Sequence, residues 1–185
     1  MPFINFFLLF LVVSSTAFSM EKAQHRAFRE MKGGCDRFQV PLQAEFAAWE
    51  KTAQVVQAAE ATESAPALPI GNRIDLALSE QKKVKLAVQP QKVFATKAKT
   101  YGGLAKFSVP NDGKYRVSLG GKIWVDLVEE EGGKIVPASH FEMQTGCKKI
   151  FKVVEFSLRA GVNYLVQISS NPAATAPLLL SESAE

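Results

Sequence analysis

From residue 73 onward, apolar and polar residues alternate along most of the chain. Successive side chains of a β-strand point to opposite faces of a sheet, so this period of two predicts strands with one buried face. Turn residues interrupt the alternation at Asn111 to Gly113 and at Gly120 and Gly121, which predicts a three-strand antiparallel meander over residues 101–126. About eight or nine short strands are predicted in all, among them residues 74–78, 84–88, 101–109, 115–119, 123–128, 150–158, 162–168 and 178–180.

The segment before the alternation has the spacing of a helix. Pro41 stands near its start. Its apolar residues recur every three or four positions, at Leu42, Phe46, Trp49, Ala53 and Val56. Residues 58–69 have the Ala, Pro, Ser and Thr content of a linker. We therefore predict a mainly β fold, an antiparallel β-sandwich or jelly roll at residues 70–185, with one N-terminal amphipathic helix and its linker at 41–69.

The first nineteen residues predict a cleaved secretory signal. Phe3 to Val13 is almost wholly apolar, and Ala17 and Ser19 place small residues before a cut at Met20. The apolar run is about half of the roughly 20 residues that a membrane span needs, so no span is expected after cleavage. Residues 20–40 are charged, with His25 among them, and predict a mobile arm. The expected location is periplasmic or secreted.

Two cysteines follow the predicted cleavage site, Cys35 and Cys147. Thiols usually pair in an oxidising compartment, so a disulfide between them is predicted. In the chain-entropy model, closing so long a loop stabilises the folded state by about 4 to 5 kcal/mol.

The charge of the chain is mildly positive and unevenly placed. The formal net charge is +4 over 185 residues, yet no acidic residue occurs between Gln81 and Asn111, a stretch that holds seven lysines, including Lys97 and Lys99. Such a run is consistent with a face for an anionic partner, or with solvated lysines that protect a sheet edge from aggregation. Aromatic residues do not alternate with these lysines as they do in nucleic-acid-binding modules, so no nucleic acid is expected.

Two resemblances bear on function. Phe107-Ser-Val-Pro, Gly113-Lys-Tyr-Arg-Val, Trp124-Val-Asp-Leu and Gly161-Val-Asn-Tyr-Leu-Val resemble the phrases of bacterial pre-peptidase C-terminal β-sandwich domains, which implies an accessory or binding role. Most of the chain after the signal also resembles a group of small exported proteobacterial proteins. The shared phrases are Cys35, Pro41-Leu-x-x-Glu-Phe-Ala-Ala-Trp49, Tyr101-Gly-Gly-Leu, Gly113-x-Tyr-Arg-Val, Trp124-Val-Asp, His140, Cys147 and Lys149-x-x-x-Val-Glu-Phe-x-Leu158.

Proteins of that exported group often carry the label homogentisate 1,2-dioxygenase. That label implies a cupin enzyme whose iron is held by two histidines and a carboxylate. This chain has two histidines, His25 and His140. In an extended segment, His140 and Glu142 project to one face, and a thiolate from Cys147 offers a third ligand for Zn or Cu if it is not in a disulfide.

Two main functional hypotheses follow from the sequence, and a structural role in envelope assembly is a third. The first is a non-enzymatic binding or accessory protein of the cell envelope, without a cofactor, whose partner is an envelope protein or a glycan; Trp124, Tyr101 and Tyr115 are its candidate contacts, with Lys97 and Lys99 nearby. The second is a metal-binding protein or metal-dependent enzyme centred on His140 and Glu142. The sequence does not indicate the oligomeric state.

Overall fold

The computed structural model describes residues 31–94 and 98–183. The predicted signal at residues 1–19, His25 and Lys97 lie outside the described residues. Within them the chain forms one α-helix, α1 (Gln43–Trp49), short 3-10 helices at Cys35–Arg37, Thr62–Ser64 and Gln81–Lys83, and eleven strands. No helix among these residues has the length and apolar character needed to cross a membrane.

The strands confirm a mainly β protein. They are β1 (Gln54–Gln57), β2 (Arg73–Ala77), β3 (Ser79–Glu80), β4 (Tyr101–Ser108), β5 (Gly113–Leu119), β6 (Trp124–Glu129), β7 (Lys134–Ile135), β8 (His140–Met143), β9 (Lys152–Leu158), β10 (Asn163–Asn171) and β11 (Thr175–Glu182). The count exceeds the predicted eight or nine because β1, β3, β7 and β8 have only two to four residues each. Strands this short carry too little alternation to be recognised from sequence.

The strands form two sheets. The six-stranded sheet has the order β1-β2-β11-β5-β9-β8, and the five-stranded sheet has the order β3-β4-β10-β6-β7. Every neighbouring pair in the described chain is antiparallel except β1 with β2. Alternate side chains of β2, β5, β9 and β11 meet those of β4, β6 and β10 in one apolar core.

The predicted meander over residues 101–126 is wrong. Strands β4 and β6 belong to the five-stranded sheet, where β10 separates them, and β5 belongs to the six-stranded sheet between β11 and β9. The turns after β4 and β5 therefore carry the chain from one sheet to the other. Residues Tyr115 to Leu119 of β5 are all buried, as a central strand requires when its outer face is also covered.

Helix α1 packs on the outer face of the six-stranded sheet and is shorter than predicted. Leu42 and Trp49 are buried against Ile150, Val153 and Leu179. The helix ends at Trp49, and residues 54–57 form β1, which pairs with β2 in parallel. The helical spacing beyond Trp49 is therefore coincidental, because pairing with β2 overrides it.

Residues 84–88 do not form the predicted strand. This segment lies over the five-stranded sheet, where Ala87 and Val88 pack against an apolar cluster that includes Leu165. The backbone of Val88 is satisfied by a side chain: the N–H donates to Gln167 Oε1 at 3.2 Å, and the C=O accepts from Gln167 Nε2 at 3.1 Å. Its apolar residues are partly buried, and they reach this burial by covering a sheet and not by joining one.

The predicted disulfide is confirmed. Cys35 and Cys147 are bonded, with their Cα atoms 4.5 Å apart and a sequence separation of 112. Hydrogen bonds support the same junction: Gly33 N–H donates to Gln144 Oε1 at 2.9 Å, and Gly146 N–H donates to the Gly33 carbonyl at 3.0 Å. The disulfide ties the segment before α1 to the loop between β8 and β9.

Candidate functional site

A cleft of about 380 Å³ opens beside the first half of β6, between the two sheets. Strand β6 forms one wall and strands β8 and β9 form the other, while the chain after β7 and the segment before β4 complete the rim. We call it the β6 cleft. Its lining residues are Gln91, Lys92, Trp124, Val125, Asp126, Leu127, Val136, Ala138, Phe141, Lys152, Val154 and Phe156.

Lys152 is the unusual member of this lining. It is the first residue of β9, and the alternation of that strand puts it on the core-facing side with Val154 and Phe156. The residue is 7% exposed. Its Nζ donates a hydrogen bond to the main-chain carbonyl of Ile123, just before β6. The side chain therefore reaches across the gap between the sheets toward the start of β6.

Aromatic rings surround the Lys152 ammonium. Its Nζ lies 5.5 Å from the Trp124 ring centroid and 5.9 Å from that of Phe141, within the range of cation–π contacts. Lys92 approaches Trp124 as well, with its Nζ 5.5 Å from the ring centroid. Phe94 meets Trp124 edge to face at 6.4 Å, so the indole forms one side of an aromatic and cationic rim.

A buried network holds Trp124 in place. The indole Nε1–H donates to Asp126 Oδ1 at 3.1 Å, and Gln167 Nε2 lies 3.5 Å from Asp126 Oδ2. The backbone of Gln91 also donates to the Asp126 carboxylate. Burial raises the pKa of this carboxyl, and these hydrogen bonds oppose the rise. The Asp126 carboxylate therefore orients the indole, and both of its oxygens already accept hydrogen bonds from the protein.

Among the described residues, the positive charge of Lys152 has no carboxylate partner at ion-pair distance. Within residues 31–94 and 98–183, no carboxylate oxygen lies within the 4.0 Å of an ion pair with its Nζ. Burial, and to a smaller extent the charge of Lys92, lower the pKa of Lys152 to about 8, while the charge of Asp126 opposes the fall. The structure therefore keeps a cation in a desolvated position that an anion would stabilise.

The structure separates the aromatic and lysine contacts predicted from the sequence. Trp124 lines the β6 cleft. Tyr115 is buried in the core, its hydroxyl donates to the Asn111 carbonyl at 3.1 Å, and burial raises the pKa of its phenol. Tyr101 packs against the core, and Lys99 lies over its ring while forming a 2.7 Å ion pair with Glu80.

Three of the described lysines of the predicted basic run form ion pairs with carboxylates. Lys82 and Lys99 flank Glu80, and Lys106 lies 3.5 Å from Glu130. Hydrogen bonds from Lys99 and Lys82 lower the pKa of the Glu80 carboxyl to about 2. Only Lys92 of the described run lines the β6 cleft.

His140 and Glu142 do lie on one face of β8, as their spacing predicts. His140 Nε2 is 3.2 Å from Glu142 Oε1. Glu142 is buried and accepts the Gln39 N–H at 2.9 Å, so it anchors the segment before α1, while the sulfur of Cys147 is in the disulfide. In the described chain, no three or more His, Cys, Asp or Glu residues are grouped to hold a metal ion. The metal hypothesis stays a prediction.

The densest charged cluster of the described residues has a structural role. Arg116 and Glu45 are buried under α1; Arg116 donates to Glu155 Oε2 at 3.1 Å, to Glu45 Oε1 at 3.3 Å and to the Pro41 carbonyl at 2.7 Å. Ser181 also donates to Glu45, at 2.9 Å. These groups satisfy one another, and they hold the start of α1 against the six-stranded sheet.

Two other depressions have similar volumes and less suitable chemistry. One, of about 430 Å³, lies at the Glu129 to Glu131 turn, and the other, of about 390 Å³, follows the backbone between Cys35 and Phe46. The β6 cleft differs from both because it combines apolar walls with a buried ammonium. Apolar walls with a few polar groups are typical of small-molecule sites.

Sequence reasoning missed Lys152, although a signal for it was present. On one face of residues 150–158, Lys152 stands among Ile150, Val154, Phe156 and Leu158. A lysine at a position where every second residue is apolar indicates a buried charge.

No protein-family model matches the chain, and no curated protein matches its sequence.

Proposed function

We propose that this protein is a non-enzymatic binding protein, and that its β6 cleft takes a ligand with an anionic head, a carboxylate, on an apolar body. The observation that carries this proposal is the buried ammonium of Lys152 between the rings of Trp124 and Phe141. The setting is an exported accessory domain of the cell envelope, as the N-terminal signal and the resemblance to pre-peptidase C-terminal domains imply.

Lys152 supplies the anion-binding group. An ammonium removed from water is costly unless an opposite charge replaces its hydration. A carboxylate bonded to Nζ would remove that cost, and a charge-assisted hydrogen bond contributes about 1.5–3 kcal/mol. Lys92, which is exposed at the rim, adds a second positive charge near the same indole ring.

The walls of the cleft supply the apolar contact. Val125, Leu127 and Val154 are buried apolar residues, and the Phe141 ring stands among them. A volume of about 380 Å³ falls in the lower part of the range of small-ligand pockets, about 300–1,000 Å³. The cleft suits a ligand with one ring or a short branched chain next to its carboxylate.

The fold gives this site its position. We infer that the two sheets form a β-sandwich, since their facing side chains share one core. The jelly-roll topology stays a prediction. In a sandwich of this kind the cleft lies where the sheets separate at an edge, beside β6 and β8. Recognition at such an edge does not require the core to move.

Isothermal titration calorimetry tests the proposal with 4-phenylbutyrate and its neutral amide. We expect the carboxylate to bind, the amide to bind at least about tenfold more weakly, and the Lys152→Met variant to lose the difference between them. Lys134→Met, which replaces an exposed lysine of β7, is the matched control and should retain the preference. Equal affinity for both compounds, or a preference that survives in Lys152→Met, contradicts the proposal.

A further inference from the structure

Next to Lys152, one backbone position on the outer edge of strand β6 has no main-chain partner among the described residues. The Val136 N–H donates to the Leu127 carbonyl at 2.8 Å, so Leu127 points its backbone groups away from β10 and toward β7. Backbone groups of a strand alternate in direction, and Val125 is two residues away. The N–H and C=O of Val125 therefore point to the same edge.

The described chain on the β7 side does not form backbone hydrogen bonds with this position. The ladder between β6 and β7 pairs Val128 with Ile135 and Glu129 with Lys134. Past Val136 the chain crosses to the other sheet, where the Ser139 N–H donates to the Glu155 carbonyl at 2.8 Å. Among the described residues, none pairs its backbone with the outer edge of Val125.

The unpaired backbone position and the buried ammonium are adjacent. Lys152 Nζ donates to the carbonyl of Ile123, which is two residues before Val125 and on the same edge by the same alternation. Val125 itself lines the cleft, as do the apolar side chains of Leu127 and Val154. A donor and an acceptor of the main chain, a cation and an apolar wall thus converge on one short stretch of β6.

We propose that the ligand of the β6 cleft is the carboxyl-terminal end of an extended polypeptide. Its terminal carboxylate binds Lys152, one residue exchanges backbone hydrogen bonds with Val125, and an apolar side chain enters the cleft toward Phe141. This inference rests on the proposed function and narrows it to a class of partner. A small carboxylate would satisfy Lys152 and leave Val125 unpaired, and an internal peptide segment brings no terminal carboxylate.

The partner is therefore recognised by charge and by main-chain bonding together. Lys152 and Lys92 set a positive end to the cleft, which complements the negative end of a peptide chain. Strand addition at a sheet edge gives affinity through the main chain, while pockets for single side chains give specificity. With one bridging residue and one terminal contact, we expect a transient interaction.

The test uses N-acetylated hexapeptides that end in Phe, Leu, Val or Ala, each with a free carboxylate, as a carboxamide and with N-methyl groups on the last three amides. We expect at least one free-acid peptide to bind, its carboxamide to bind at least about tenfold more weakly, and its N-methylated form to bind about 2- to 10-fold more weakly. By NMR, hydrogen exchange of the Val125 amide should slow with the peptide and not with 4-phenylbutyrate.

Each outcome separates this inference from the proposed function. If 4-phenylbutyrate binds through Lys152 and none of the peptides binds, the peptide inference is wrong and the carboxylate-binding function stands. If a peptide binds with no loss on N-methylation and no protection of Val125, strand addition is overturned. If neither class of carboxylate binds in a manner that depends on Lys152, both proposals fail.

Discussion

The burial of Lys152 predicts an unusual rise of stability at alkaline pH. The perturbation is a change from about pH 7 to about pH 10.5 in the wild-type protein and in Lys152→Met. The pKa of Lys152 falls from the ordinary 10.5 to about 8 in the folded state, chiefly through burial. Since one pKa unit corresponds to about 1.4 kcal/mol, the ammonium costs the folded protein about 3 kcal/mol at neutral pH.

The direction follows from proton linkage. Below about pH 8, Lys152 is protonated in both states, and the desolvation cost is fully present. Between about pH 8 and 10.5 the unfolded chain keeps its proton while the folded protein releases it, so the free energy of unfolding rises with pH. Relative to Lys152→Met, the wild-type protein should gain about 3 kcal/mol over this interval.

Urea unfolding monitored by circular dichroism gives the free energy of unfolding of each protein, and the effect is the difference between the wild-type and Lys152→Met values at each pH. Taking the difference cancels the titration of other groups, and Lys134→Met controls for the loss of any lysine from a strand. A difference that stays constant from about pH 7 to about pH 10.5 would refute the assignment of a buried, undercompensated ammonium. A destabilising residue kept at such a cost is typical of a functional site.

Three further predictions concern the fold and the site. Reduction of the Cys35–Cys147 disulfide should lower the free energy of unfolding by about 4 to 5 kcal/mol in urea titrations, and no loss would contradict its stabilising role. Arg116→Ala should cost about 3–5 kcal/mol because it leaves buried carboxylates unpaired; a cost below about 1 kcal/mol would contradict this. Binding of 4-phenylbutyrate should change Trp124 fluorescence in the wild-type protein, and Trp124→Phe should lose that change.

The positions of most strands were predictable because alternation is a local property. The rows at residues 101–109 and 162–168 match β4 and β10, and these two strands pair. Which strands pair with each other was less predictable, because a short turn can join two strands of one sheet or two strands of facing sheets. The chain around β5 shows this: its neighbours are β9 and β11, and neither adjoins it in sequence.

Tertiary context explains the remaining differences. The helical spacing that continues past Trp49 is coincidental, because Val56 lies in β1 and packs against the main core. The alternation at residues 84–88 does not mark a strand, because Ala87 and Val88 pack against an apolar cluster over the five-stranded sheet. The disulfide was predictable from the number of cysteines together with the predicted export of the chain. The six-stranded sheet is covered on its outer face by α1. Where α1 packs is not specified by any local sequence pattern, so this covering was not predictable.

The site was predictable only in part. Trp124 was singled out as an aromatic residue, whereas its neighbours Phe141 and Lys152 come from β8 and β9, and Lys92 comes from the segment before β4. The cleft exists because two sheets separate at one edge, a property of pairing that the sequence pattern does not contain. Lys152 itself was visible as a lysine in an apolar row.

The central claim is that Lys152 holds a buried charge for an anionic ligand, and its own titration tests this most directly. In protein labelled with carbon-13 at the lysine ε position, NMR measures the pKa of Lys152 with and without 4-phenylbutyrate. We predict a pKa of about 8 in the free protein and a clear rise in the complex, because a bound carboxylate favours the ammonium. A pKa that is the same with and without the carboxylate would contradict the account.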